Sequence, residues 1–168
     1  WQLRVAAGEK LPLKQSDIRL NGHAIEARLY AEDPQADFLP STGTLERLHL
    51  PENLVRVDSG VREGDAVTPF YDPMIAKMIA HADTREAAAA KLAHALEETQ
   101  IAGLRSNNAF LIRALKRPEF IAGEIDTGFI PRHQAELIPL KSEPPLHLLA
   151  QAALFLVRER ERAHRSND

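Results

Sequence analysis

A chain of 168 residues with 44% apolar and 27% charged residues is long enough for one domain with a real core and too apolar to be disordered. Its 21 basic and 24 acidic residues give a net charge of −3 with no basic block, which argues against nucleic acid or an anionic membrane surface as a partner. It has no cysteine, so neither a disulfide framework nor a thiolate metal site is available.

The chain opens on Trp1 rather than Met, and Gln2 to Ala7 followed by Gly8 reads as the end of a helix with a glycine stop. With no signal peptide, this is the pattern expected of a piece of a longer cytosolic protein, residues 1–10 closing a preceding region. Leu11 to Leu13 and Ser16 to Leu20 read as a linker and a short strand. Gly22 to Pro34 then reads as the principal strand. Ile25, Ala27, Leu29 and Ala31 fall on one face and Glu26, Arg28, Tyr30 and Glu32 on the other, whereas a helix would mix Arg28 and Glu32 into an apolar stripe. Gly22 starts it and Asp33-Pro34 ends it. Residues two apart on a strand face lie roughly 7 Å apart, so Glu26 can steer Arg28 without neutralising it. On pattern alone, such a face is also ordinary surface chemistry for a half-solvated antiparallel sheet.

Asp37 to Gly43 is a loop, Leu45 to Leu50 a strand ended by Pro51, and Val55 to Asp58 another short strand. Val61 to Val67 carries a Gly64-Asp65 turn between β-branched residues and reads as a hairpin. Pro69 to Pro73 turns the chain, and Met74 to His81 alternates again as a strand. A helix follows, with Asp83 as N-cap, Glu86 three residues on, and Ala88, Leu92, Ala95, Leu96 and Thr99 at helical spacing. Ser106 is expected to cap a second helix bearing Phe110, Leu111 and Leu115, and Pro131 to Leu137 forms a third with proline in its first turn. Strands first and helices after predict an α+β fold, a mostly antiparallel sheet packed by C-terminal helices. Residues 139–145 form a proline-bearing linker. Leu146 to Val157, apolar nearly all round but too short to span a bilayer, reads as a helix ended by the charged tail Arg158 to Arg165. It predicts the truncated start of a following bridging domain over 146–168.

The seven histidines are scattered without i,i+4 pairing, so no metal site is expected. No Gly-rich phosphate loop and no serine or threonine with a base at motif spacing is present. Chemistry instead gathers around one literal string, Gly22-His23-Ala24-Ile25-Glu26-Ala27-Arg28-Leu29-Tyr30-Ala31-Glu32-Asp33-Pro34. It closely resembles a segment of the biotin carboxylase family, in the domain that follows the ATP-grasp fold. Phe38-Leu39-Pro40-Ser41-Thr42-Gly43, Phe70 to Met78, Gly103 to Asn108 and Thr127 to Ile130 extend the likeness over Trp1 to about Leu137.

The resemblance implies the biotin carboxylase C-terminal domain over 11–138, with a half-hammerhead element around Val61 to Val67. It implies that Arg28 binds the ureido oxygen of biotin, that Glu26 orients Arg28 unless it is mere surface decoration, and that Tyr71 and Asp72 lie near the same site unless they only form a tight turn. Ala76-Lys77-Met78 is similar to the Ala-Met-Lys-Met that carries covalent biotin. Yet the methionine before the lysine is missing, and Lys77 falls inside an alternating strand rather than at a hairpin tip. The family further implies an ATP-dependent ligase using magnesium and bicarbonate, with ATP and Mg2+ bound by an upstream region and biotin on a carrier domain, so that the chain alone is inactive. The continuation beyond Pro139 resembles α subunits of acyl-CoA carboxylases, and the opening Trp1 to Gly8 with Asn21-Gly22-His23 is most similar to the 3-methylcrotonyl-CoA branch, with propionyl- and geranyl-CoA branches near it. Implied partners are a biotin carrier domain, a carboxyltransferase β subunit and a second biotin carboxylase domain in a homodimer. The reading of another class is a non-catalytic domain that docks the carrier or mediates dimerisation.

Overall fold

Residues 2–6 form a short helix, α1 (Gln2–Ala6), and Gly8 takes φ +89° just beyond it. The strand expected over Ser16 to Leu20 is instead a 3-10 turn, Gln15–Asp17, closed by Lys14 N–H donating to Asp17 Oδ2 at 3.1 Å. Ile18 and Leu20 are exposed there and meet no sheet edge that would favour extension. The principal strand follows as β1 (His23–Tyr30). Ile25, Ala27, Leu29 and Ala31 are buried, Glu26 and Arg28 exposed and Tyr30 half-buried, so the two faces divide as their alternation dictates. The chain kinks at Ala31, so the expected strand to Pro34 continues only as the two-residue β2 (Glu32–Asp33). Asp33 then caps a 3-10 turn, Pro34–Ala36, by accepting from Gln35 N–H at 3.0 Å.

β3 (Leu39–Pro40) pairs with β2, and β4 (Gly43–Thr44) and β5 (Arg47–His49) precede β6 (Arg56–Ser59). The hairpin expected over Val61 to Val67 does not form. Gly64-Asp65 does turn the chain, with Asp65 N–H donating to Arg62 O at 3.1 Å, but β7 (Ala66–Val67) pairs backwards with β4. β8 (Met74–Ala82) is the centre of a three-stranded antiparallel sheet ordered β1-β8-β6.

The helix α2 (Arg85–Glu98) is capped by Thr84, whose Oγ1 accepts from Ala87 N–H at 3.2 Å, one residue later than the expected Asp83. Its alanines let it lie close across the apolar face of the sheet: Ala88, Ala89, Leu92, Ala93, Ala95 and Leu96 are buried with Leu29, Ala76, Met78 and Ala80. β9 (Gln100–Ala102) pairs with β5. α3 (Asn108–Leu115), α4 (Pro118–Ala122), α5 (Phe129–Arg132) and α6 (Gln134–Leu137) follow, so the expected third helix is two single turns with Pro131 in the first. They bury Phe110, Phe129 and Leu137 in a second cluster, against which Phe38 packs edge-to-face on Phe110 at 5.0 Å.

This is the architecture of a computed structural model that describes residues 1–138 and 143–165. The chain divides into two units, Trp1–Ile138 and Pro139–Asp168. Residues 139–142 of the expected linker and 166–168 of the expected bridging segment lie outside the described residues. In the second unit, α7 (Leu146–Arg165) runs through the charged tail instead of ending before it, as suits a run of good helix formers, Arg and Glu. The α+β class and the antiparallel pairing agree with the expectation; the small strands form open two-stranded ladders.

Candidate functional site: the charged face of the three-stranded sheet

The register of the sheet places Arg28 opposite Lys77, and Lys77 opposite Asp58, in one row across β1, β8 and β6; the next row is Glu26, Ile79 and Arg56. These side chains share the face turned away from α2. Arg28 Nε donates to Glu26 Oε1 at 3.2 Å. Lys77 Nζ stands 3.9 Å from Glu26 Oε2 and 3.9 Å from Asp58 Oδ2, and Arg56 holds Asp58 through both carboxylate oxygens at 2.9 and 3.0 Å. Two carboxylates are thus spread among three cations. The Arg56 guanidinium is the first cause, with burial opposing it, that holds the Asp58 carboxyl below its usual range.

The Arg28 side chain is 62% exposed. Glu26 first, then the Tyr30 phenol, raise its already high pKa, so it stays cationic throughout. Glu26 engages Nε, and the Tyr30 phenol is a second neighbour of the guanidinium. A rigid planar donor set that is charged and largely solvent-facing can bind an anionic oxygen.

Tyr71 and Asp72 lie in the turn that leads into β8. Tyr71 is 84% exposed, and Asp72 Oδ1 accepts from Met74 N–H at 3.1 Å. Among the described residues no hydrogen bond or ion pair joins either to Arg28. Asp72 instead faces Glu32, whose carboxyl is raised first by burial and then by the Asp72 charge. The two pairs therefore sit one on β1 and one at β2, with Ala31 N–H bonded to Pro73 O at 2.8 Å between them. Lys77 stands mid-strand in β8, not at a hairpin tip. A cavity of about 410 Å³ lies elsewhere, lined by Leu48, Leu50 and by Val57 and Ser59, the β6 residues that point away from the Arg28 face. Among the described residues no group of three or more metal-ligating side chains comes together, and no helix is long and apolar enough to cross a membrane.

Sequence reasoning passes over Asn107. It is 5% exposed, at the start of α3 rather than in a free loop, and Ser106, the expected cap, precedes it. Its Oδ1 accepts from Tyr30 N–H at 2.9 Å, its Nδ2 donates to Arg28 O at 3.1 Å, and its own N–H donates to Tyr30 O at 3.1 Å. The only signal for it in the sequence is its place in the Gly103 to Asn108 motif.

The family model for the biotin carboxylase C-terminal domain matches residues 26–132, which contain the whole of this charged face, and the chain belongs to that family. Among its relatives is the mouse mitochondrial methylcrotonoyl-CoA carboxylase subunit alpha, 49% identical over 159 residues, covering 94% of this chain and 22% of the relative. The biotin carboxylase of Halalkalibacterium halodurans is 48% identical over 134 residues, covering 79% of this chain and 29% of that protein. The biotin carboxylase domain dimer of Hydrogenobacter thermophilus 2-oxoglutarate carboxylase, solved with MgADP, ADP and bicarbonate, superimposes with a TM-score of 0.80 at 39% identity. It covers 85% of this chain and 31% of that one. The chain therefore spans between a fifth and a third of the length of these relatives.

Proposed function

We propose that this chain supplies part of the biotin pocket of an ATP-dependent biotin carboxylase, with Arg28 as the residue that meets biotin. The observation that carries this reading is the Arg28 guanidinium: charged, largely exposed and fixed at Nε by Glu26, with the Tyr30 phenol beside it. Biotin, when bound, supplies a ureido nitrogen that takes up the carboxyl group and a ureido oxygen on which negative charge gathers. Arg28 offers that oxygen a preorganised cation that cannot lose its proton, where a lysine could. Glu26 orients the fork from behind. Lys77 draws on the same carboxylate, which keeps Glu26 from neutralising Arg28 fully. Tyr71 and Asp72 border the pocket from the turn before β8 rather than touching Arg28.

The domain boundaries proposed are 1–10 as the end of an ATP-grasp region, 11–138 as the biotin carboxylase C-terminal domain, 139–145 as linker and 146–168 as the start of a bridging domain. ATP and Mg2+ belong to the upstream region, so the chain by itself is inactive. A biotin carrier domain, a carboxyltransferase β subunit and a second biotin carboxylase domain are the proposed partners; the name of the mouse relative supports an acyl-CoA carboxylase of the methylcrotonoyl type. We place the work in the cytosol, although the mouse relative carries the word mitochondrial.

In the complete enzyme, Arg28→Ala is expected to lower biotin-dependent ATP turnover by about 10²–10³, the loss seen when a single oxyanion donor is removed. Arg28→Lys should recover only a small part, because a point charge cannot reproduce the fork. Unchanged turnover with Arg28→Ala would favour the docking or dimerisation role instead.

A further inference from the structure

The hydrogen-bonding pattern of β1 does not explain by itself why Arg28 points where it does. β1 is an edge strand of the sheet. Its inner edge is laddered to β8, but the register slips between Leu29 and Tyr30, so the ladder loosens one residue past Arg28. On the outer edge the backbone groups of Arg28 and Tyr30 face away from β8 and have no strand to pair with. Asn107 takes that place. With one side-chain acceptor, one side-chain donor and its own N–H, it satisfies Tyr30 N–H, Arg28 C=O and Tyr30 C=O, as a neighbouring strand would.

Asn107 is itself anchored. Its carbonyl accepts from Leu111 N–H at 3.0 Å in the first turn of α3, and the next residue, Asn108, donates from Nδ2 to Leu96 O at 2.9 Å, near the end of α2. Arg28's own backbone is therefore tied through one buried carboxamide to a helix start that is docked on the core. Arg28 is held at two places: its guanidinium at Nε by Glu26, its backbone carbonyl by Asn107.

We infer that Asn107 is a positioning residue for Arg28, setting the backbone from which the guanidinium reaches its ligand without touching that ligand. This inference rests on the reading of Arg28 as the biotin-facing residue. A mere helix cap does not account for the arrangement, since Asn107 makes no side-chain cap bond to α3.

The test uses the complete carboxylase and free biotin, reading biotin-dependent ATP turnover for Asn107→Ala and Asn107→Asp, each with Arg28 present and with Arg28→Ala. Asn107→Ala is expected to lower turnover about tenfold or more, the scale of a displaced positioning group. Asn107→Asp keeps the acceptor for Tyr30 N–H but sets a carboxylate oxygen against Arg28 C=O at a buried position, and is expected to lower turnover at least as much as Asn107→Ala. With Arg28→Ala already in place, either substitution is expected to change turnover by less than about twofold, because residues that act through one another are not additive. A purely structural asparagine would lower turnover by the same factor in both backgrounds, and that result would overturn the inference while leaving Arg28's role intact. So would wild-type turnover in both Asn107 variants, or failure of both to fold. Unchanged turnover in Arg28→Ala alone would remove the Arg28 reading and this inference together.

Discussion

On the open face of β1, Glu26 is shared between two cations, through a hydrogen bond to Arg28 and a longer approach from Lys77. The balance has a testable consequence. Glu26→Gln keeps the side chain's length and an acceptor oxygen but removes its charge. It is expected to lower biotin-dependent turnover by about three- to tenfold, well short of the loss in Arg28→Ala, since an orienting partner is lost and the cation is not. Steady-state kinetics of the complete enzyme read this, and equal losses in the two variants would contradict the orienting role. Both residues are legible in the period-two pattern of the sequence, which by itself puts Glu26 and Arg28 on one exposed face. Asn107 is not. Its partners lie 77 and 79 residues away in the chain, and an asparagine ahead of a helix looks in sequence like a cap. The mid-strand place of Lys77 follows from alternation, but its sharing of Glu26 and Asp58 depends on the register of β1, β8 and β6.

At the scale of elements, long periodic segments are readable and short ones are not. β1, β8 and α2 carry eight, nine and fourteen residues with faces that divide cleanly; β8 and α2 appear within a residue or two of their expected bounds, and β1 begins where expected but ends at Tyr30, four residues short of Pro34. The hairpin expected over Val61 to Val67 is absent because β7 finds its partner in β4, far upstream, and nothing local marks that choice. The two N-cap positions lie one residue later than expected: Asp83 gives way to Thr84, whose hydroxyl caps α2, and Ser106 to Asn107, whose side chain makes no cap bond and goes to β1 instead. Thr84→Ala should therefore cost about 1 kcal/mol of stability in denaturant unfolding, and Asp83→Ala much less; the reverse order would return the cap to Asp83. Gly103 makes a sharper case. It sits at φ +98°, and a Cβ there would meet the Thr44 carbonyl and the Glu46 backbone where β9 passes β4. Gly103→Ala should cost about 1–3 kcal/mol in the same measurement, through strain that no side-chain rearrangement relieves.

For the molecule as a whole, the carboxylates set the response to acid. Asp58, Glu63, Glu97, Glu119 and Asp126 are all held below their usual range; a hydrogen-bonded guanidinium or ammonium is the leading cause for Asp58, Glu97 and Asp126, and a backbone N–H for Glu63 and Glu119. A group whose folded pKa is depressed stabilises the fold above its unfolded value and loses that contribution as pH falls through the folded one. The contribution of these five groups to the melting temperature is thus expected to be level above the ordinary carboxylate values of 3.8 and 4.5 and to fall below them. Glu32 runs the other way: burial and Asp72 raise its pKa, so its ionised form is a burden that lifts as pH drops through that raised value. Glu32→Gln should accordingly raise the melting temperature near neutral pH and not at about pH 4 and below, and a gain that is the same at both would contradict the assignment.

Whether the outer edge of the Arg28 guanidinium receives the ureido oxygen of biotin is measured most directly by a structure of the complete enzyme with biotin bound. The expected result is a terminal amino group of Arg28 within hydrogen-bonding reach of that oxygen, about 2.7–3.2 Å, with Nε still on Glu26 and the Asn107 bonds to Arg28 and Tyr30 unchanged. Biotin bound on another surface, with Arg28 facing bulk water or a partner chain, would contradict it.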